Sequence, residues 1–278
     1  MKTFHNIYID DARRRLPLLQ ENYKEKVALL VTSPPYFVGR AYEDYLANEP
    51  EYWKMLQDVF ESASTLIEPH GKIAINFADR YANKALTGRV EEVLYSYEYD
   101  YIMQNMGFVL WTRIIWRKEY TIGEDCKHVL SPPNKYGHMR VSPNWEYIFV
   151  WKKDSPGKYP VKDVDMTKDE WAKWVDGVWI IPSVRKNVKI NNMKVAMFPP
   201  ELPRRLIKMY TELDDIVMDT FVGTGTTCAE ARKLQRNSIG IEMHEAAIPI
   251  IKETMGFVDD YVYKEDIFGN GIDINIIQ

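Results

Sequence analysis

Two short segments contain residues from which chemistry can be built. The first is Ser33-Pro34-Pro35-Tyr36, directly after the apolar run Val27-Ala-Leu-Leu-Val31 and Thr32. Proline lacks an N–H and fixes φ, and Pro34 forces Ser33 into extended backbone. The loop therefore presents carbonyl oxygens without competing donors. It suits a substrate with two hydrogens to donate, such as an exocyclic –NH2. The Ser33 hydroxyl can accept one hydrogen and the Pro34 carbonyl the other. Tyr36 offers a ring on which an unstacked base can lie. The bland alternative is a rigid turn. An internal control is Ser131-Pro132-Pro133-Asn134, which has no aromatic and only Val129-Leu130 before it. It reads as a turn in a basic loop.

The second segment is Asp219-Thr-Phe-Val-Gly223-Thr-Gly225-Thr-Thr227. A short apolar run feeds a glycine-rich turn that opens a helix. Glycine lets the backbone approach a ligand, and a helix N-terminus offers unpaired N–H groups. Glu242 follows at the end of the next apolar run, where a carboxylate can accept both hydroxyls of a ribose. A dinucleotide site needs a third glycine, and Cys228 stands in its place. That favours a smaller nucleoside cofactor without a pyrophosphate. A tight turn with no ligand is the alternative.

The elements that must carry these segments alternate in period. Val27–Val31, Lys72–Phe77, Phe108–Trp116, Trp145–Trp151, Ile216–Asp219 and Ser238–Glu242 read as strands. Helical spacing is predicted over Glu51–Ile67, Val90–Met106, Glu201–Leu213 and Thr227–Leu234, with Pro69-His70-Gly71 breaking the chain after the first. Strands alternating with helices give an α/β class with a mainly parallel sheet. In such sheets ligands bind at the carboxyl ends of the strands, where both segments fall.

Composition bounds the rest. The 278 residues are 46% hydrophobic, enough for a packed core. No apolar run reaches the roughly 18 residues of a membrane helix, and Met1–Arg15 has no signal-peptide core, so a cytoplasmic location is expected. Cys126 and Cys228 do not make a disulfide framework, and no Cys/His cluster has metal-ligand spacing. The net charge of −4 is unevenly spread: Arg113–Lys158 carries +4 and Arg185–Lys208 carries +6. Basic stretches on an acidic body describe a local phosphate-binding face or solvated loops.

Together these segments resemble the beta-group DNA amino-methyltransferases of restriction–modification systems, whose catalytic half precedes the cofactor half. Thr32–Tyr36 resembles the catalytic motif and Ile73–Asp79 the strand after it. Trp179–Pro182 and Ala196–Leu202 resemble the approach to the cofactor strand, and Asp219–Thr227 with Gly240-Ile-Glu242 the cofactor motif. Asn6–Asp11 resembles an amino-terminal strand ending in Gly-Asp, with Asp10-Asp11 in that place here. Thr220, Val222 and Thr224 replace the family's common Pro, Ala and Ser.

The resemblance implies a Rossmann-like, circularly permuted fold with a mostly parallel seven-stranded sheet and a small recognition insert. It divides the chain into a catalytic half (1–117), a DNA-contact and recognition segment (118–180, with strand 145–151 in the core sheet) and a cofactor half (181–278). The implied cofactor is S-adenosyl-L-methionine. Asp11, Thr32, Phe198, Asp219 and Phe221 are implied on its surface, with Gly223, Gly225, Thr226, Thr227 and Glu242. Asp11 is the candidate for its adenine amine. Ser33, Pro34, Pro35 and Tyr36 are the implied catalytic residues. They act on an exocyclic amine of a base flipped out of duplex DNA, by direct transfer without a covalent enzyme intermediate.

Ser33 leans the target toward N4 of cytosine, with N6 of adenine as the alternative. C5 chemistry needs a Pro-Cys nucleophile, and neither cysteine follows a proline. Lys127, Lys135, Arg140, Lys152, Lys153 and Lys158 are the phosphate-binding candidates, and Arg117, Lys118 and Asn134 the base-reading ones. A separate restriction endonuclease and a monomeric or homodimeric state also follow from the resemblance. The tryptophans 171, 174 and 179 are expected to pack. Two other classes compete: a nicotinamide-dependent oxidoreductase, which leaves Ser33–Tyr36 unexplained, and a catalytically silent DNA-binding module.

Overall fold

The computed structural model describes residues 3–37, 48–81, 92–119, 143–157, 165–184, 188–190, 193–194, 197–256 and 273–277. The chain opens with β1 (Phe4–Ile9), α1 (Ala12–Tyr23), β2 (Val27–Thr32) and α2 (Glu49–Ser64). It continues through β3 (Ile67–Phe77), the short β4 (Arg80–Tyr81) and β5 (Glu92–Val93), α3 (Tyr95–Asn105), β6 (Phe108–Arg117) and β7 (Trp145–Lys153). Next come α4 (Lys168–Trp174), β8 (Val178–Ile180) and the hairpin β9 (Lys189–Ile190) and β10 (Met193–Lys194). Then follow α5 (Glu201–Tyr210), β11 (Ile216–Asp219), α6 (Thr226–Lys233), β12 (Asn237–Glu242), α7 (Ile248–Met255) and β13 (Asp273–Ile277).

One sheet organises the molecule, in the order β13-β1-β12-β11-β2-β3-β7-β6-β8. From β13 to β3 every pairing is parallel; β7 runs antiparallel to both neighbours, and β8 is parallel to β6. The sheet thus has nine strands among the described residues, not the expected seven. The two additions, β13 and β8, sit at the edges. They satisfy the open N–H and C=O groups that β1 and β6 would otherwise expose. β8, at three residues, is too short to announce itself by periodicity.

Alternation along the strands feeds two helical layers. Leu30 of β2 packs with α1, α2 and α3 on one face, while Leu29 and Val31 pack against Leu202, Leu206 and Ile207 of α5 on the other. Every residue of β2 is buried, as expected of a strand covered on both sides. In α2 the buried set Tyr52, Met55, Leu56, Val59, Phe60 and Ala63 keeps helical spacing. Asn48 caps its first turn by accepting the Glu51 N–H at 2.9 Å. Each such buried side chain contributes about 1.5–3 kcal/mol before chain entropy is counted.

Two element boundaries change. The helix expected to reach Ile67 and be broken by Pro69-His70-Gly71 ends at Ser64, and that tripeptide lies inside a strand. β3 runs through it, with His70 at φ 63°, and the register jumps from Val27↔Ile67 to Leu29↔Lys72. The extra residues are absorbed as a bulge. The helix expected from Val90 instead begins at Tyr95, because Asp79 accepts hydrogen bonds from the Ser96 N–H (2.8 Å) and hydroxyl (3.0 Å) and so anchors its first turn. Of the three tryptophans, Trp174 and Trp179 are buried, whereas Trp171 is exposed.

Candidate active site

A single cleft opens where β1, β12, β11 and β2 end side by side. Its walls include Ser33, Pro34, Pro35 and Tyr36 on one side and Phe221, Gly223, Thr226 and Glu242 on the other. Residues nearly two hundred positions apart in sequence therefore share one cavity. The reason is the strand order: β2 and β11 are neighbours, so their carboxyl ends deliver both loops to the same place.

The glycine turn is held from below. Asp219, at the tip of β11, is 1% exposed. Its Oδ1 accepts the Thr32 hydroxyl at 2.7 Å and the Phe221 N–H at 3.0 Å, and its Oδ2 accepts the Thr227 hydroxyl at 2.7 Å. Burial pushes the Asp219 carboxyl above its ordinary range, against these three hydrogen bonds. Thr32, Asp219 and Thr227, expected on the cofactor surface, thus bond to one another behind the cleft wall. Gly223 and Gly225 have φ of 57° and 87°, the left-handed region in which a side chain is strained. Gly225 caps α6, whose N-terminus points its free N–H groups toward the turn. Underneath, a Cβ on Gly240 would lie 2.6 Å from Val222 Cγ2 and 2.8 Å from Ile7 Cδ1, so only glycine lets the turn settle this low.

Glu242 closes the far side. Its Oε2 accepts the Gly223 N–H at 2.8 Å and its Oε1 the His244 N–H at 2.9 Å. A carboxylate accepts about four hydrogen bonds, so each oxygen keeps capacity for a ligand hydroxyl. Burial is the largest influence on it and raises its pKa above the ordinary carboxylate value. Asp11, also on the cleft wall, caps α1 through the Arg13 N–H at 2.9 Å and pairs with the Arg13 guanidinium at 2.5 Å. Burial opposes its ionisation, but the Arg13 contacts prevail and hold its pKa below the ordinary value. Phe198 completes this rim.

On the loop side, the Tyr36 ring meets Tyr95 edge-on at 6.0 Å. The wall also contains residues that sequence reasoning missed: Asp10, Arg13, Met55, Val59, Met197 and Thr220. Met55 and Val59 lie within the helix expected over Glu51–Ile67, but nothing local told that this face of α2 would floor the cleft. The Thr220 hydroxyl is buried on the wall with no hydrogen-bond partner among the described residues.

Residues 27–253 match the N6/N4 methyltransferase family model, described as DNA methylase. The chain belongs to this family. Among relatives of this DNA methylase, the type II methyltransferase M.MjaI of Methanocaldococcus jannaschii is 30% identical, over 91% of this chain and 92% of its own length. The type II methyltransferase M.BglI of Bacillus subtilis is 28% identical, over 84% and 80%. A putative DNA modification methylase of Thermus thermophilus, TTHA0409, solved in complex with S-adenosyl-L-methionine, superposes with a TM-score of 0.71 at 24% identity over 97% of both chains. The PvuII DNA methyltransferase, described as cytosine-N4-specific, superposes with a TM-score of 0.68 at 21% identity over 98% of both chains. Enzymes of the family take their methyl group from S-adenosyl-L-methionine.

The basic candidates of this methylase divide by sheet edge. Arg117 ends β6 on the edge that carries the cleft, and it is exposed. Lys118 follows, but its Nζ is paired with Glu146 at 2.5 Å and lies 5.0 Å from the Trp116 ring centroid. Lys152 and Lys153 do not reach that edge. β7 runs antiparallel, so its last residues stand at the opposite end of the sheet, where Lys153 Nζ donates to the carbonyls of Ser64 (3.2 Å) and Ile67 (2.8 Å). Lys127, Lys135, Arg140, Lys158 and the Ser131–Asn134 turn lie outside the described residues.

Proposed function

We propose that this DNA methylase transfers a methyl group to N4 of cytosine in duplex DNA. The observation that carries the reading is the shared cleft, in which Ser33–Tyr36 faces Gly223 and Glu242. S-Adenosyl-L-methionine, when bound, supplies an electrophilic methyl group. The chain's residues fit such a ligand: the glycine turn leaves backbone room, Glu242 keeps lone pairs for ribose hydroxyls, and Asp11 offers an acceptor for an amine.

The difficulty lies in the target amine, whose lone pair is delocalised into the ring. The Ser33 hydroxyl and the Pro34 carbonyl accept its two hydrogens and favour a pyramidal nitrogen. Tyr36 stacks on the base. The amine is paired inside a duplex, so the base must leave the stack at a cost of a few kcal/mol. Positioning and fixed dipoles would then supply most of the acceleration: nitrogen gains the methyl group, the cofactor's sulfur would keep the electron pair of the broken bond as a thioether, the amine sheds one proton past Ser33 to solvent, and no covalent enzyme adduct is needed.

Serine at position 33 favours cytosine. N6 of adenine is the second reading, favoured by the family's inclusion of both amines. Recognition is assigned to 118–180, with Arg117 at its border. A restriction endonuclease acting on the same DNA site is the partner this function calls for. Incubation with labelled S-adenosyl-L-methionine and mixed duplex DNA, followed by nucleoside analysis, tests the reading. N4-methylcytosine is expected; N6-methyladenine overturns the choice of base, and no incorporation overturns the function.

A further inference from the structure

Tyr52 lies on α2, outside the recognised motifs, and is 0% exposed. Its hydroxyl donates to the carbonyl of Pro35 at 2.9 Å. We propose that Tyr52 is a positioning residue for methyl transfer, pinning the Pro35 carbonyl so that the Ser33 hydroxyl, the Pro34 carbonyl and the Tyr36 ring are held ready for the target base. The proposal rests on the amino-methyltransferase reading.

The argument begins with what a Pro-Pro pair lacks. Neither proline has an N–H, so at these two residues the loop can be tied to the protein only through carbonyls. Two carbonyls are available and two tasks exist. Tyr52 takes that of Pro35, and that of Pro34 is left for the substrate amine. The same hydrogen bond fixes the peptide plane between Pro35 and Tyr36, and hence the departure angle of the Tyr36 ring.

The tyrosine is itself held. Its oxygen lies 3.5 Å from the Tyr99 hydroxyl. Tyr52 spends its single hydrogen on Pro35, so Tyr99 donates at that contact. Burial raises the pKa of both phenols, so both remain protonated donors at working pH. Trp53 meets the Tyr52 and Tyr99 rings edge-on at 4.9 Å and 5.6 Å, and Tyr95 bridges Tyr52 to Tyr36 at 6.0 Å each. A phenylalanine would fill this space equally well. A hydroxyl in so buried a place is costly unless it is bonded, and its bond goes to the catalytic loop.

The test compares wild type with Tyr52→Phe and Tyr99→Phe. Single-turnover methyl transfer, S-adenosyl-L-methionine affinity by calorimetry, duplex affinity by anisotropy and melting temperature are measured on each. Tyr52→Phe is expected to slow transfer roughly ten- to a hundredfold, the scale of a small misplacement of reacting groups. Both affinities should stay within about twofold, since cofactor contacts are untouched. Tyr99→Phe, which removes a hydroxyl of equal burial without touching the loop, should lose less.

An unchanged rate in Tyr52→Phe overturns the proposal. So does a loss matched by an equal loss of cofactor affinity. If Tyr52→Phe does not fold, 3-fluorotyrosine at position 52 keeps the shape while strengthening the donor. A changed rate at constant cofactor affinity then supports the proposal, and an unchanged rate overturns it. A wild-type protein that transfers no methyl group removes the underlying reading, which separates that failure from the failure of Tyr52 alone.

Discussion

The Thr32 hydroxyl donates a 2.7 Å hydrogen bond to Asp219 Oδ1, joining the strand that ends in Ser33 to the strand that ends in the glycine turn. Both side chains are fully or almost fully buried. The two halves of the active site are therefore stitched directly, and the stitch should matter to stability as well as to activity. Asp219→Ala orphans the Thr32 and Thr227 hydroxyls and the Phe221 N–H. A loss of about 2–4 kcal/mol is expected, with Thr32→Val costing about 1 kcal/mol. Urea denaturation followed by circular dichroism measures both; equal stability of Asp219→Ala and wild type would contradict the assignment.

Ser33→Ala removes an acceptor for the target amine and nothing from the cofactor side. Turnover should fall roughly a hundredfold, the scale seen when one preorganised polar group is lost from a reacting centre. Affinity for S-adenosyl-L-methionine should not change. Steady-state kinetics beside calorimetry separate the two, and equal turnover would take Ser33 out of the mechanism.

Glu242 links cofactor binding to pH. Its pKa is raised, mainly by burial. The fold favours the acid form more than the unfolded chain does, so stability falls as pH rises from the unfolded pKa of Glu242 towards its raised folded one. Ribose hydroxyls need the ionised form as acceptor. Cofactor affinity should therefore weaken as pH falls through the raised pKa. Glu242→Gln should bind more weakly at neutral pH and lose this dependence. A pH series of calorimetric titrations decides; identical curves for both proteins would count against the ribose role.

Gly240→Ala introduces a Cβ 2.6 Å from Val222 Cγ2, with the Ile7 side chain on the other side. The turn has to rise or the sheet has to spread. Overpacking of this kind costs about 1–3 kcal/mol. Thermal melts should show the loss, and cofactor affinity should fall with it because Val222 precedes Gly223. A variant that binds as tightly as wild type would mean that the turn can yield.

Arg117 and Lys152 make a paired test of the DNA edge. Arg117, expected to read a base, stands exposed on the cleft edge, where its charge adds to duplex affinity; Arg117→Ala should weaken duplex binding, relax sequence preference and reduce the slope of log K against log salt by about 1. Lys152→Ala, at the opposite edge of the sheet, should leave that slope unchanged. Anisotropy titrations over a salt series read both. Reversed results would move the DNA to the other edge.

Much of this molecule was legible one segment at a time. Six strands, the α/β class and the two loops follow from local facts: periodicity, the missing N–H of proline and the freedom of glycine before a helix. Glu242 could be placed at a strand end because its own strand is apolar and short. These inferences needed no partner distant in the chain.

What the tertiary structure decided concerns direction and depth. Reading β7 as a strand did not reveal that it runs antiparallel, which carries Lys152 and Lys153 away from the cleft. Asp219 lies in a ligand-binding motif, yet its carboxylate is consumed by Thr32, Thr227 and Phe221 rather than facing the cavity. Tyr52 has no local mark at all; only the packing of α2 beneath Ser33–Tyr36 brings its hydroxyl to Pro35. Residue type and spacing determine which groups a segment can offer. Which of them face a ligand depends on hydrogen bonds and packing between strands and helices far apart in the chain, and those form only when the sheet is assembled.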